Sequence, residues 1–125
     1  ADIPTGEFKP DTRFVGGRFI NDEFINDCFC LNRGEGPHVL KNKKNFENIL
    51  ATVELKSDTK SLQIWQKAGK EQYNAIQINP PPARMSIAIE PMTAEPDTLN
   101  HHRDLIVIKP GEIRTFVFGA KFQKR

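Results

Sequence analysis

At 125 residues, with 38% apolar and 27% charged side chains, the chain is long enough for one domain with its own core, and its composition excludes a disordered polypeptide. Its 18 basic and 16 acidic residues leave a formal net charge of +2, too small to argue for nucleic-acid binding, and the basic clusters Lys41-Asn42-Lys43-Lys44 and Lys121 to Arg125 read as solvated lysines. No stretch approaches membrane-spanning length, so no membrane association is expected.

Taken in order, Ala1 to Arg13 carries Pro4, Gly6 and Pro10 and reads as an irregular entry segment. The chain opens on Ala1 rather than Met, which suggests a processed, tagged or truncated piece. Gly16-Gly17 signals a turn or bulge, and Phe24 to Leu31 then reads as a strand. Phe14, Phe19, Phe24 and Phe29 recur every five residues, but an odd spacing alternates faces in a strand and makes no repeat. Cys28 and Cys30, the only cysteines, share one face of this strand, and so short a loop closes a disulfide poorly. Two free thiols suit a reducing, cytoplasmic compartment, and without a Cys-x-x-Cys pair or ligand-spaced histidines the pattern predicts no metal site.

Asn32 to Asn45 is loop-like, with His38 a surface residue beside Pro37. Phe46 to Leu55 alternates Ala51, Val53 and Leu55 against Thr52 and Glu54, which predicts a strand. Ser57-Asp58-Thr59-Lys60 predicts a hairpin turn into a second strand, Ser61 to Gln66. Ala68 to Glu71 turns again before a third alternating run, Tyr73 to Asn79. Pro80-Pro81-Pro82 is a stiff connector to Arg84 and to an apolar strand, Met85 to Ile89. Beyond a polar loop, Leu105 to Ile108 and Ile113 to Phe122 read as two more strands, with Pro110-Gly111 a turn between them. No segment sustains a 3.6-residue period. The expectation is an all-β single domain, residues 1–125, folded as an antiparallel β-sandwich, with Ile87, Ile89, Val53, Phe29, Ile106 and Phe116 in its core.

Glu90 ends the apolar strand, Pro91 fixes the turn after it, and a loop holding Asp97 and Asn100 follows. A carboxylate at a rigid strand end, faced by hydrogen-bonding side chains, suits acid–base chemistry; a solvated Glu before a Pro turn is the plainer reading of the local pattern alone. Trp65 offers an aromatic platform for the apolar face of a pyranose, or simply a core or interface contact. Arg84 reads as a substrate-hydroxyl donor or a surface ion pair.

Three ordered motifs in this stretch carry a resemblance. Ile87-Ala88-Ile89-Glu90-Pro91-Met92-Thr93, then Asp97-Thr98-Leu99-Asn100, then Ile108-Lys109-Pro110-Gly111-Glu112 together resemble the C-terminal segment of the aldose 1-epimerase (mutarotase) family. Pro4-Thr5-Gly6 is similar to that family's P-T-G, Ile76-Gln77 falls on its V-Q, and Asn26-Asp27-Cys28-Phe29 resembles its sugar-binding D-D-x-F. The resemblance implies a part of the larger mutarotase-type sandwich, acting on a monosaccharide, an aldose, with no cofactor required. It implies that Glu90 is the base that takes the C1 hydroxyl proton, while Asp27 or Asn26 binds sugar hydroxyls; in a strand those two face opposite ways. The family's acid, a histidine, lies in an N-terminal part that this sequence lacks, and His101 and His102 are expected exposed at the rim. Within the loop Glu95 is expected to carry no role. A dimer, or association with the missing N-terminal part, would cover the surface a half-sandwich exposes. The alternative is a non-catalytic β-sandwich that binds carbohydrate through Trp65, Asp27 and Arg84.

Overall fold

Alternating residues around a four-residue polar turn build the longest hairpin among the described residues. In the computed structural model, which describes residues 20, 24–31 and 49–125, β2 (Ile49–Lys56) pairs antiparallel with β3 (Lys60–Ala68). The Ser57 amide donates to the Lys60 carbonyl at 2.8 Å, and Ser57 Oγ accepts from the Lys60 amide at 3.1 Å, which closes the expected turn with its own first side chain. On β3's other side lies β6 (Phe118–Lys124), with Trp65 opposite Gly119.

A second antiparallel sheet has the order β1 (Asp27–Cys30), β4 (Ala75–Asn79), β5 (Ala88–Met92). The described residues are therefore all-β in class, two three-stranded antiparallel sheets with one helical turn, α1 (Thr98–His101). None of their helices is long and apolar enough to cross a membrane.

The corner between β3 and β4 joins the sheets and explains where the core sits. Asn74 closes it: its Oδ1 accepts from the Gly69 amide at 3.0 Å and its Nδ2 donates to the Gly69 carbonyl at 2.7 Å, both buried. Gln66 reaches from β3 to donate to the carbonyls of Tyr73 (3.2 Å) and Ala75 (3.1 Å), while the Leu31 amide donates to the Asn74 carbonyl. These bonds satisfy backbone groups that burial would otherwise strand. The buried apolar residues cluster in sequence around that corner: Ala68, Ala75 and Ile76, with Ile25 and Ala94. The residues expected to form the core, Phe29, Val53, Ile87, Ile89, Ile106 and Phe116, are each half-buried instead. Buried positions here go to side chains at the joint, because the sheet faces away from it carry less cover; Phe118 and Phe122 are 57% and 62% exposed.

Two strand expectations are corrected. Leu105 to Ile108 is not a strand, and Val107 and Ile108 are exposed, since no strand among the described residues pairs with them. The closing strand starts at Phe118 rather than Ile113. The residues before it dock through the Val117 carbonyl, which accepts from the Lys67 amide at 2.9 Å, and through side chains, with Arg114 on Glu71 at 3.0 Å and Phe116 tilted against Tyr73 at 5.6 Å. The Pro-Gly turn does form: the Glu112 amide donates to the Lys109 carbonyl, Gly111 has φ 84°, and the Lys109 amide donates to the Glu112 carboxylate at 3.3 Å. Pro at the first central position and a left-handed residue at the second define a type II turn, which only Gly occupies without strain. The readings made for Ala1 to Arg13, Phe14, Phe19, Gly16-Gly17, Asn32 to Asn45 and His38 lie outside the described residues.

Candidate functional site

The face of the β1-β4-β5 sheet that carries polar side chains follows from its register. Residues directly opposite in a sheet share a face, so Cys28, Gln77 and Glu90 form one row, and Cys30, Ala75 and Met92 the next. Gln77 Nε2 donates to Asn26 Oδ1 at 2.9 Å, which places Asn26 on the same side. The opposite face carries Phe29, Ile76, Ile78, Ile89 and Pro91, an apolar set, together with Asp27. Period-two alternation thus divides the expected sugar-binding pair: Asn26 shares a face with Glu90 and Asp27 does not.

Glu90 stands exposed in the middle of β5 rather than half-buried at a strand's end. Pro91 does not stop the strand: among the described strands β5 lies at the sheet's edge, the position in a sheet that tolerates proline. Arg84 has φ 57° and closes a turn, its amide donating to the Pro81 carbonyl at 2.9 Å. Trp65 belongs to the other sheet. Its indole lies over Gly119, where an added Cβ would come within 2.5 Å of Cε2, so one ring face is committed to the cross-strand glycine. Register therefore brings Asn26 and Glu90 to one face, linked through Gln77, and leaves Asp27, Trp65 and Arg84 outside that row.

Sequence reasoning passed over a second cluster on the same side of the sheet. Glu95 is a buried carboxylate, its side chain only 8% exposed. Arg103 Nε donates to Glu95 Oε1 at 2.7 Å, and Cys30 Sγ donates to Oε2 at 3.4 Å. The loop that holds Glu95 is locally closed. Thr98 Oγ1 donates to the Arg103 carbonyl at 2.8 Å, and the Asn100 side chain donates to Asp97, so the Asp-x-x-Asn motif here builds the loop. The Arg103 amide donates to His101 Nδ1 at 2.9 Å, which leaves His101 Nε2–H facing the Pro96 carbonyl at 3.0 Å and Glu95 Oε1 at 3.5 Å. His101 is thus tied into the loop, its side chain 14% exposed, whereas His102 is exposed as expected. The signal available beforehand was the spacing of Glu95, His101 and Arg103 across a loop with a proline at 96, a pattern that becomes a cluster only once the loop's path is known.

Cys28 and Cys30 are free and half-buried. Hydrogen bonding from Cys30 lowers the Cys28 thiol from its ordinary value near 9.0, against burial and the Glu95 charge, which push it up. The Cys30 thiol is pushed far up, first by its hydrogen bonding with Cys28, then by burial and by the negative charges of Cys28 and Glu95 beside it. Among the described residues no three His, Cys, Asp or Glu side chains are grouped so as to hold a metal ion. Compared with known proteins, the chain matches no family model, no curated protein and no solved structure.

Proposed function

We propose that this chain is part of an aldose 1-epimerase-like protein of the mutarotase type, with a β-sandwich fold, that interconverts the α and β anomers of a free aldose. The observation that carries the reading is the polar row: exposed Glu90, from the segment whose three ordered motifs resemble that family, shares one face with half-buried Gln77 and the Asn26 bound to it. Glu90 takes the C1 hydroxyl proton, an acid elsewhere protonates the ring oxygen, the ring opens, and rotation about C1–C2 precedes closure with the roles reversed. Asn26 and Gln77 supply amide donors and acceptors that match vicinal sugar hydroxyls. Trp65, Asp27 and Arg84 lie outside that row.

A second reading, carbohydrate binding without catalysis, is favoured by one observation. Glu90 is open to solvent rather than enclosed in a water-excluding pocket, which suits a surface that binds hydroxyls more than a site that moves protons. One set of measurements separates the two. In polarimetry with glucose and galactose, buffer catalysis subtracted, Glu90→Gln lowers kcat by ~10²–10⁴-fold while exposed Glu54→Gln does not. If the wild-type chain shows no mutarotation, an NMR titration with the same sugars decides. Shifts at Gln77 and Asn26 support binding alone, and unmoved resonances remove both readings.

A further inference from the structure

The two thiols and the carboxylate beside them have a chemistry that sugar binding does not use. Cys28 and Cys30 are two residues apart on one face of β1, so both thiols stand on the same side of the sheet. Cys30 Sγ is 3.4 Å from Glu95 Oε2, and Arg103 holds that carboxylate from its other oxygen at 2.7 Å. Both cysteines are half-buried, so small oxidants reach them while bulky ones do not. We propose that Cys28 and Cys30 form a peroxide-oxidisable dithiol that closes to a reversible disulfide within β1.

The thiolate of Cys28 attacks one oxygen of hydrogen peroxide. An S–O bond forms, the O–O bond breaks, and hydroxide leaves and takes up a proton as water. The Cys30 sulfur then attacks the Cys28 sulfenic sulfur: the S–S bond forms, the S–O bond breaks, and a second water leaves. Glu95 Oε2, already the acceptor of the Cys30 thiol proton, takes that proton as the sulfur attacks and hands it to the leaving hydroxide, which departs as that second water. In sum two thiols lose two electrons and two protons, and one peroxide becomes two waters.

Geometry also makes the product labile. Cα atoms two apart in an ideal strand are separated by about 6.8 Å, the upper end of what a disulfide spans, so closure must tighten β1. Among the described strands β1 lies at the sheet's edge, pairing only with β4, and can bend with little loss of ladder. A strained disulfide is readily reduced, which is what a reversible modification requires. Closure also removes the Cys30 hydrogen bond to Glu95. None of this depends on the sugar reading.

The test uses the full reduced chain and a small excess of hydrogen peroxide. The accessible thiol count falls from two to zero, the intact mass drops by about two units, the chain stays monomeric on a non-reducing gel, and dithiothreitol restores both thiols. Cys30→Ser stops at a sulfenic acid on Cys28 that dimedone traps, and Cys28→Ser loses its remaining thiol several-fold more slowly than Cys30→Ser does. In urea that preference between the two single variants disappears. Interchain disulfides, stepwise oxygen addition without a mass loss, no thiol loss at all, or equal rates in the two folded single variants would each overturn the proposal.

Discussion

Glu95 should matter far more to stability than an exposed loop acid. Replacing it with Ala removes the acceptor for Arg103 Nε, for Cys30 Sγ and for the His101 ring, within a loop whose path those contacts fix. A hydrogen bond to a charged group contributes about 1.5–3 kcal/mol, and breaking a fully buried ion pair costs about 3–5. Glu95 is 8% exposed, but Arg103 is 38% exposed, so water re-solvates the orphaned guanidinium and the lower range applies. The expected loss for Glu95→Ala is about 2–3 kcal/mol. Glu95→Gln keeps an oxygen for Arg103 and loses only the charge, at about 1 kcal/mol. Urea unfolding followed by circular dichroism reads both as shifts in midpoint at constant slope. The Glu95→Gln loss should change little between low and moderate salt, since a buried carboxylate is weakly screened. A double-mutant cycle with Arg103→Met isolates the pair itself. Both Glu95 variants unfolding within about 0.5 kcal/mol of wild type, the range of an ordinary surface substitution, would refute the cluster as a structural element.

Two further substitutions probe the frame around the site. Asn74→Ala leaves the Gly69 amide and carbonyl buried without partners and should lower stability by about 2–4 kcal/mol, read by the same urea titration; a loss under about 0.5 would mean that water replaces the side chain. Gly119→Ala drives a methyl group into the Trp65 indole and should cost about 1–3 kcal/mol. Because Trp65 is the chain's only tryptophan, its emission should shift with the substitution, and an unchanged spectrum would show that the ring does not rest on Gly119.

The strands of the β2-β3 hairpin and β4 were legible because their alternation is local and each run ends at a turn whose chemistry is local too. Ser57 to Lys60 and Pro110-Gly111 carry their own hydrogen-bonding instructions, and both turns form. Leu105 to Ile108 has the apolar run of a strand without a neighbour among the described residues, and pairing, not composition, makes a strand. The same limit explains the two glutamates. Glu90 looked poised because Pro91 promised a strand end, but an edge strand tolerates proline and leaves Glu90 exposed on the row with Gln77. Glu95 looked idle because nothing in its own five residues answers it. Its partners, Cys30 at 65 positions' distance and Arg103 at eight, arrive only when β1 pairs with β4 and the helical turn folds the loop back. A carboxylate's environment is a non-local property, so a sequence proposes which acids carry chemistry and the register decides which of them are buried. On this side of the sheet the register sets the exposed acid in a row with Gln77 and Cys28, the loop after β5 carries the buried one to Cys30 and Arg103, and each setting fits a different chemistry.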